Sequence, residues 1–510
     1  MRTLKNYLLK TKKISYMRQQ EDSKNPSGKE NNENLKRSTI LSLLWNALDK
    51  VGFQLIAFLI GLVTLRLLSP KDFGLIGALA IFTALSNIFV ESGFSSAMIR
   101  RKDNKDSEYV ALLIFHLTLA LLFYGGLFFS AEYIAAYYKM PELKDLSRFL
   151  FLSIIFNSIS IVHIIILTKQ LSFKLLSIAS LAGAIVGGVA VIVMILNGYT
   201  YWALAWQIVL QCAVKCLVLW ASCKWFPCSK PDFQIVKELF KFSCSILATS
   251  LTNTFVRYIY NPIIGRAFGE AELGYYTQAQ KFYNLPTTII SSSISGVSYP
   301  VLSKLNDDHA KQVKYLQKMI RICAFGIFPV LIGAMACFEN IITIILTEKW
   351  LPIVPYFQIL AIAGMATPFQ NLYNGLFTLK GKPQWTFIIE CIKNTCILIP
   401  LFFIKDTHTL LWSFSAATLF AYFISLFFVK KIIGYSPLLQ LKDILPYLFF
   451  SLVMATVVIL LDQLSISLIL KLPVQIIGGA VTYIAGCYLC GSAIVKEMVS
   501  QAKAALLRLK

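Results

Sequence analysis

Apolar runs of about 20 residues, the length needed to cross the hydrocarbon core as an α-helix, recur along almost the whole chain. Short polar segments separate them. Backbone groups in lipid must be satisfied within the segment, so each run is expected to be helical. The pattern predicts an all-α integral membrane protein with about fourteen spans, at residues 40–65, 74–99, 109–130, 148–168, 175–196, 201–222, 241–264, 273–301, 320–346, 353–379, 384–404, 409–429, 443–461 and 472–495.

Composition supports this interpretation. Of the 510 residues, 57% are hydrophobic and only 15% are charged, whereas a soluble protein carries roughly 25% charged residues. A water-soluble enzyme, a coiled coil and a disordered scaffold are therefore excluded. Residues 1–38 are polar and basic, without a cleavable signal sequence, and are expected to form a disordered cytoplasmic tail.

The charges predict the orientation of the spans. The net charge is +22, and the basic residues lie in the segments between apolar runs. With the tail left out, 24 loop cations fall on one side of the predicted membrane and nine on the other. Because cytoplasmic loops are enriched in Lys and Arg, both termini are expected in the cytoplasm. This distribution favours anionic lipid over nucleic acid as the partner of the basic residues.

A weak internal repeat relates two parts of the chain. Arg66 and Gly74, between the first two spans, match Arg266 and Gly274, between the seventh and eighth, at an offset of 200 residues. Six helices per copy is an even number, so the copies are expected to be parallel and related by a pseudo-twofold axis along the membrane normal. The predicted organisation is an N-lobe at 39–222, a C-lobe at 223–433, two further helices within 434–495 and a cytoplasmic tail at 496–510.

Ionisable residues inside predicted spans are costly and are therefore functional candidates. The cations Lys50, Arg257 and Lys281 are expected to bind an anionic substrate group. The acids Asp49 and Glu91 are candidates for coupling to an ion gradient or for pairing with a cation, Glu91 with Lys50. Polar residues at three- and four-residue steps on the second and eighth spans predict a hydrated cavity, and the candidates there for hydrogen bonds to a polar ligand include Asn87, Gln278, Thr288 and Ser292.

Other polar or small residues in the spans have simpler interpretations. Lys215 is expected to reach the cytoplasmic interface, and Glu390 is expected to pair with Lys393 three residues later. Gly183 and Gly187 predict close packing between helices. The cysteines lie in apolar runs without nearby histidines, so no metal site and no cofactor are expected.

The chain resembles a known family at several motifs: Leu67–Gly74 (LLSPKDFG), Glu91–Arg101 (ESGFSSAMIRR), Leu273–Ala279 (LGYYTQA), Pro286 and the Tyr299-Pro300 pair. These are similar to the polysaccharide-transporter branch of the multidrug/oligosaccharidyl-lipid/polysaccharide (MOP) exporter superfamily, in particular to Wzx-type flippases and to lipopolysaccharide or teichuronic acid exporters. The similarity extends from about residue 37 to the C-terminus.

That resemblance implies two six-helix lobes that move an undecaprenyl-diphosphate-linked oligosaccharide across the bacterial inner membrane by alternating access. It also implies that Lys50, Arg257 and Lys281 hold the diphosphate and that Asn87, Gln278, Thr288 and Ser292 are candidates for contacts with the glycan. Coupling to a gradient of Na⁺ or H⁺ through Asp49 or Glu91 is a separate hypothesis that comes from the charged residues themselves. The expected partners are the lipid-linked oligosaccharide, membrane lipids and other proteins of polysaccharide assembly, with the chain itself a monomer.

Three alternatives stay open. A lipid II flippase would share the fold and the diphosphate chemistry and would differ in the glycan. A multidrug or cation antiporter of the same superfamily is expected to have an acidic cavity, which the cations argue against. A membrane glycosyltransferase or polymerase would need a large loop outside the membrane or an acidic catalytic motif, and no enzymatic activity is expected here.

Overall fold

A computed structural model describes residues 52–91, 93–101, 103–305, 308–403, 406–492 and 494–496. These residues form helices joined by short turns, without a β-strand among them. In chain order the helices are α1 (Gly52–Leu67), α2 (Pro70–Glu91), α3 (Phe94–Arg100), α4 (Asp106–Tyr138), α5 (Leu143–Leu150), α6 (Leu152–Lys169), α7 (Phe173–Leu196), α8 (Tyr201–Ser222), α9 (Gln234–Tyr258), α10 (Tyr260–Phe268), α11 (Glu270–Lys304), α12 (His309–Ile345), α13 (Ile353–Leu379), α14 (Pro383–Leu398), α15 (Thr407–Ile433), α16 (Pro437–Asp462) and α17 (Leu468–Leu489).

The all-α membrane class predicted from the apolar runs is confirmed. In the described part of the chain, ten helical segments are long and apolar enough to cross a membrane. The remaining predicted spans coincide with α1, with α9 and α10, with α11, and with α14, which are helical but shorter or more polar. Fourteen spans in total therefore stay a prediction. Helices α9 and α11 are among the more polar ones because they carry the predicted cation sites.

The chain divides into two compact units. The first contains Thr83–Ser130, Leu146–Leu251 and the described residues 52–61, and the second contains Leu62–Phe82, Ala131–Asp145 and the described residues from 252 onward. This division follows contacts, whereas the lobes predicted at 39–222 and 223–433 follow the repeat and stay a prediction. The tail at 1–38 and the last residues of the tail at 496–510 lie outside the described residues.

Small residues set the packing inside the first unit. Gly183 and Gly187, one turn apart on α7, face the backbone of α8: a Cβ on Gly183 would lie 2.6 Å from the carbonyl oxygen of Gln211, and one on Gly187 2.8 Å from that of Gln207. The close packing predicted from the Gly-x-x-x-Gly spacing is therefore confirmed. A buried apolar cluster contributed by α3, α4, α6 and α8 completes this unit, with Met98, Leu112 and Leu219 among its fully buried members.

The second unit contains a reciprocal helix crossing. A Cβ on Gly74 of α2 would overlap the carbonyl oxygen of Glu270, and a Cβ on Gly274 of α11 would overlap that of Pro70. One turn on, a Cβ on Gly77 would lie 2.9 Å from a methyl carbon of Thr277. The 200-residue offset exchanges the first two contacts with each other, and the third joins two positions that correspond directly. A pair of similar helices that meet at a local twofold axis makes contacts of this kind. Gly74 and Gly274, from which the repeat was predicted, thus both lie at the contact between α2 and α11.

The turn between α12 and α13 caps the C-terminal end of α1. The last carbonyl groups of a helix have no partner within the helix. Trp350 donates its indole N–H to the carbonyl of Leu65 (2.7 Å), and the Lys349 ammonium donates to the carbonyl of Arg66 (2.8 Å). Trp350 is fully buried, so this turn caps α1 with both a hydrogen bond and a large apolar contact.

The predicted Glu390–Lys393 pair is confirmed. The two side chains form an ion pair one turn apart on α14, with both only partly exposed. Each charge is thereby neutralised within its own helix, so neither residue needs a functional explanation.

Candidate functional site

Arg257 lies in the last turn of α9, where the backbone breaks before α10 begins. The sequence predicted one span over 241–264 and placed Arg257 about two turns from its end. The break follows from Pro262, which fits the first turn of a new helix because its missing N–H is not needed there. A cation in a last turn is stabilised by the helix dipole, so the break itself favours a charge at this position.

The Arg257 side chain is exposed although it belongs to a predicted span. Its guanidinium interacts electrostatically with the phenol of Tyr283 on α11. The Tyr283 ring is held in place because it packs on Gly364 of α13, where a Cβ would lie 3.1 Å from the ring. Arg257 therefore acts electrostatically on a polar aromatic side chain whose position is fixed by packing.

Lys281 is in the third turn of α11 and is also exposed. Its ammonium lies 5.9 Å from the centroid of the Phe73 ring, within the range of a cation–π contact. Phe73 is itself nearly buried and packs edge-on against Trp350. An aromatic face attracts a cation without neutralising it, so the positive charge stays available to a ligand.

Neither cation is neutralised by an acid in the described part of the chain. Among the ion pairs of the described residues, none includes Arg257 or Lys281. The predicted third cation, Lys50, and its neighbour Asp49 lie outside the described residues. Two exposed, unpaired cations on helices of one unit form the anion-binding candidate of this chain.

Pro286 adds a feature that the charge pattern did not predict. Proline inside a helix lacks the N–H that would bond the carbonyl four residues earlier, and here that carbonyl belongs to Phe282. Helix α11 thus lacks one backbone hydrogen bond, the one to the carbonyl next to Lys281 along the chain. A proline in an apolar run was the sequence signal that could have indicated it.

The candidates for sugar contacts have different environments. Thr288 and Ser292 are exposed on α11, whereas Gln278 is nearly buried on the same helix. Asn87 belongs to the first unit, where it is half-buried and accepts a hydrogen bond of 3.1 Å from Asn157 of α6. Thr288 and Ser292 are thus the two that lie open on the helix of Lys281.

Glu91 has a charged neighbour within the first unit. The structure places it at the end of α2, where its carboxylate interacts electrostatically with the Lys215 ammonium of α8. Lys215 was expected to reach the cytoplasmic interface, and its relation to Glu91 was not predicted. The pairing predicted between Glu91 and Lys50 involves a residue outside the described part.

Metal-binding geometry does not occur in the part of the chain that the structure describes. No group of three His, Cys, Asp or Glu side chains there is placed to hold a metal ion, and the cysteines are free. Arg257 and Lys281, as exposed cations, are suited to the electrostatic binding of an anion.

Comparisons with known proteins agree with this arrangement. A model of the family described as polysaccharide biosynthesis protein matches residues 63–355. The teichuronic acid biosynthesis protein TuaB of Bacillus subtilis is 27% identical over 309 residues, 60% of this chain and 64% of that protein. The succinoglycan biosynthesis transport protein ExoT of Rhizobium meliloti is 23% identical over 357 residues, 69% of this chain and 72% of that protein.

Solved structures identify the fold. The lipid II flippase MurJ in an inward closed conformation superposes with a TM-score of 0.66 at 18% identity, over 87% of this chain and 100% of that one. The fold is thus that of a known multi-pass membrane protein. Because the family model covers more than half of the sequence, including both helices of the reciprocal crossing, the chain belongs to the polysaccharide biosynthesis protein family.

Proposed function

We propose that this protein is a flippase that moves a lipid-linked oligosaccharide, a repeat unit of a surface polysaccharide, across the bacterial inner membrane. Three observations support the proposal: the family match, the relatives named for teichuronic acid biosynthesis and succinoglycan transport, and a fold shared with a lipid II flippase. The matched region spans 64% of the teichuronic acid protein.

The observation that carries the proposal is the pair Arg257 and Lys281. Both are exposed on helices of a membrane protein, and neither forms an ion pair with a described residue. A positive charge inside a membrane domain is costly unless a partner neutralises it. An undecaprenyl diphosphate would supply two phosphates as that partner, with charge-assisted hydrogen bonds from the guanidinium and the ammonium.

The chemistry of such a substrate divides into three parts. The diphosphate and the sugars cannot enter hydrocarbon without a large desolvation cost, so they need the polar groups of the protein. The polyprenyl tail is apolar and stays in lipid. In this proposal Arg257, Lys281 and Lys50 bind the diphosphate, Thr288 and Ser292 contact sugars, and the domain alternates between access from the two sides, driven by Na⁺ or H⁺.

The test is replacement of the two cations. Arg257→Ala and Lys281→Ala, singly and together, are expressed in a strain that lacks its own copy of the gene, and surface polysaccharide is measured beside the protein level. Each loss of a charge-assisted interaction is expected to reduce export roughly tenfold or more. The matched control is Lys304→Ala at the exposed end of α11, which should leave export unchanged.

Three outcomes would contradict the assignment of the residues, the activity or the substrate. Normal export by the double variant at normal protein level would exclude these residues as the diphosphate site. Sugar transfer by the purified wild-type protein would favour the glycosyltransferase alternative. Lysis on depletion, instead of loss of surface polysaccharide, would identify lipid II as the substrate.

A further inference from the structure

A second polar site lies in the second unit, apart from Arg257 and Lys281. A cavity of about 490 Å³ opens between α12, α16 and the C-terminal end of α17. Its polar lining includes Gln317 and Arg321 from α12, Lys442 and Asp443 from α16, and Ser492 after α17. Residues from three helices therefore converge on one volume, large enough for a lipid headgroup.

The carboxylate of Asp443, in this cavity, already has hydrogen-bond partners within the protein. Both Nε and Nη2 of Arg321 donate to Oδ1 of Asp443, at 3.0 and 2.6 Å, and the hydroxyl of Tyr435 donates to Oδ2. The carboxylate thus has a partner on each oxygen, and its charge is balanced by Arg321. Asp443 cannot at the same time neutralise the lysines around the cavity.

Two lysines provide an excess of positive charge. Lys442 lines the cavity, and the Lys496 ammonium lies 3.5 Å from the position that a Cβ on Gly491, another lining residue, would take. Neither lysine side chain forms an ion pair with a described residue. With Arg321 and Asp443 cancelling, the described charged groups of the site sum to about +2, so an anion is the ligand that they favour.

The remaining walls include apolar side chains that are partly exposed. Leu439, Pro446 and Phe450 line the side of α16, and Leu439 is 51% exposed. The charge distribution assigns these ends of α12, α16 and α17 to the cytoplasmic surface, where the leaflet contains anionic lipid. An anion bound here would have its polar part beside the lysines and an apolar part beside α16.

We propose that this cavity binds an anionic glycerophospholipid. The headgroup phosphate lies between Lys442 and Lys496, the Gln317 amide bonds the glycerol or headgroup oxygens, and the acyl chains follow the apolar side of α16. Basic pockets between membrane helices on the cytoplasmic side are suited to such headgroups. The site is separate from the one proposed for the transported substrate. Through it, helices α16 and α17 respond to the lipid composition of the membrane.

The test uses the purified full-length protein in detergent. Binding of dioleoylphosphatidylglycerol and of dioleoylphosphatidylethanolamine is measured by native mass spectrometry and by thermal shift. The wild type should prefer the anionic lipid. The variant Lys442→Gln/Lys496→Gln should bind it about 30-fold more weakly, since each surface cation contributes roughly fivefold. The charge-matched control is Lys304→Gln/Lys430→Gln, two exposed lysines at other helix ends, with affinity within about twofold of the wild type.

Four results would overturn the proposal: equal affinity for the two lipids, a double variant that binds like the control, competition by soluble glycerol 3-phosphate at equal concentration, or displacement by undecaprenyl phosphate but not by phosphatidylglycerol. If the double variant fails to fold, Gln317→Lys tests the same idea in the opposite direction. The added cation should then tighten binding of the anionic lipid about fivefold, and an unchanged affinity would count against the site.

Discussion

Helices α2 and α11 begin alike and end differently. Their first turns carry an acid at equivalent positions, Asp72 and Glu272, and cross at the glycines Gly74 and Gly274. Beyond the crossing, α2 ends at Glu91, whereas α11 continues to Lys304 and carries Lys281. The packing contact is thus common to both copies, whereas the charges are not.

The equivalent positions show how far the charges have diverged. Under the 200-residue offset, Lys281 corresponds to Ile81, and Glu91 corresponds to Ser291. A backbone crossing needs the same small residue on both helices, so it preserves symmetry. A binding site for an asymmetric lipid-linked substrate has no such need, and the cation and the acid each occur in one copy only.

The largest expected effect is at the crossing. Gly74→Ala and Gly274→Ala each place a methyl group against a backbone carbonyl that cannot move aside. Each is expected to lower the free energy of unfolding by about 3 kcal/mol, seen as loss of folded protein in size-exclusion chromatography and a lower melting temperature. Gly296→Ala on α11 is the control, because a Cβ there meets nothing within 4 Å, and it should be neutral or up to about 1 kcal/mol stabilising. Equal melting temperatures of the Gly274→Ala and Gly296→Ala variants would exclude a tight crossing of α2 and α11.

The second-largest effect is expected from a substitution that gives α11 the residue found at the equivalent position of α2. Lys281→Ile introduces the residue found at position 81, so the helix should keep its packing and lose its charge. Flipping of a fluorescent lipid-linked oligosaccharide in proteoliposomes should fall roughly tenfold or more, because a charge-assisted interaction is lost. Lys281→Arg keeps the charge and should retain most of the activity. Full activity of the isoleucine variant would show that the asymmetry of the two helices is unrelated to transport.

A smaller effect is expected at the end of α2. Glu91→Gln and Lys215→Gln each remove one of two charges that interact within the first unit. Because Glu91 is exposed, the coupling energy in a double-mutant cycle should be about 1 kcal/mol or less, measured by chemical unfolding in detergent. Strict additivity of the two changes would show that the charges act independently.

The smallest effect concerns the first turn of α11. Glu272 precedes the predicted span at 273–301 and accepts a hydrogen bond from Tyr356. Burial raises its pKa, while His408 lowers it and Asp406 raises it further. Because its pKa is raised, the folded state binds the proton of Glu272 more tightly than the unfolded state does, and this stabilises the fold at pH values below the ordinary pKa of a glutamate. The contribution is lost as the pH rises through the folded-state pKa. The melting temperature should therefore fall slightly as the pH rises above the ordinary pKa of a glutamate, about 4.3. Glu272→Gln should flatten this slope, and a slope unchanged by that substitution would contradict the assignment.

Local patterns in the sequence predicted the features that depend on neighbours along the chain. Apolar runs predicted helices, Gly183 and Gly187 predicted a close helix contact, and Glu390 with Lys393 predicted an ion pair. Each depends on residues within about one turn or on the sum of hydropathy over one segment. Such patterns are visible without knowing which helices become neighbours.

Contacts between distant segments were not predictable in this way. The partner of Asp443 is Arg321, 122 residues away, and Trp350 caps a helix that ends at Leu67. No periodicity of the chain indicates such pairs. The break at Ile259, which places Arg257 at a helix end, was likewise missed because Asn261-Pro262 was included in one apolar run.

Hydropathy and charge counts along the chain were enough to establish that lipid solvates this protein, because both are sums over residues that need no knowledge of folding. The helix packing decided which charges form ion pairs: Asp443 pairs with Arg321, whereas Arg257 and Lys281 form no ion pair with a described residue. Coulomb energy depends on distance and on local solvation, and folding alone determines both.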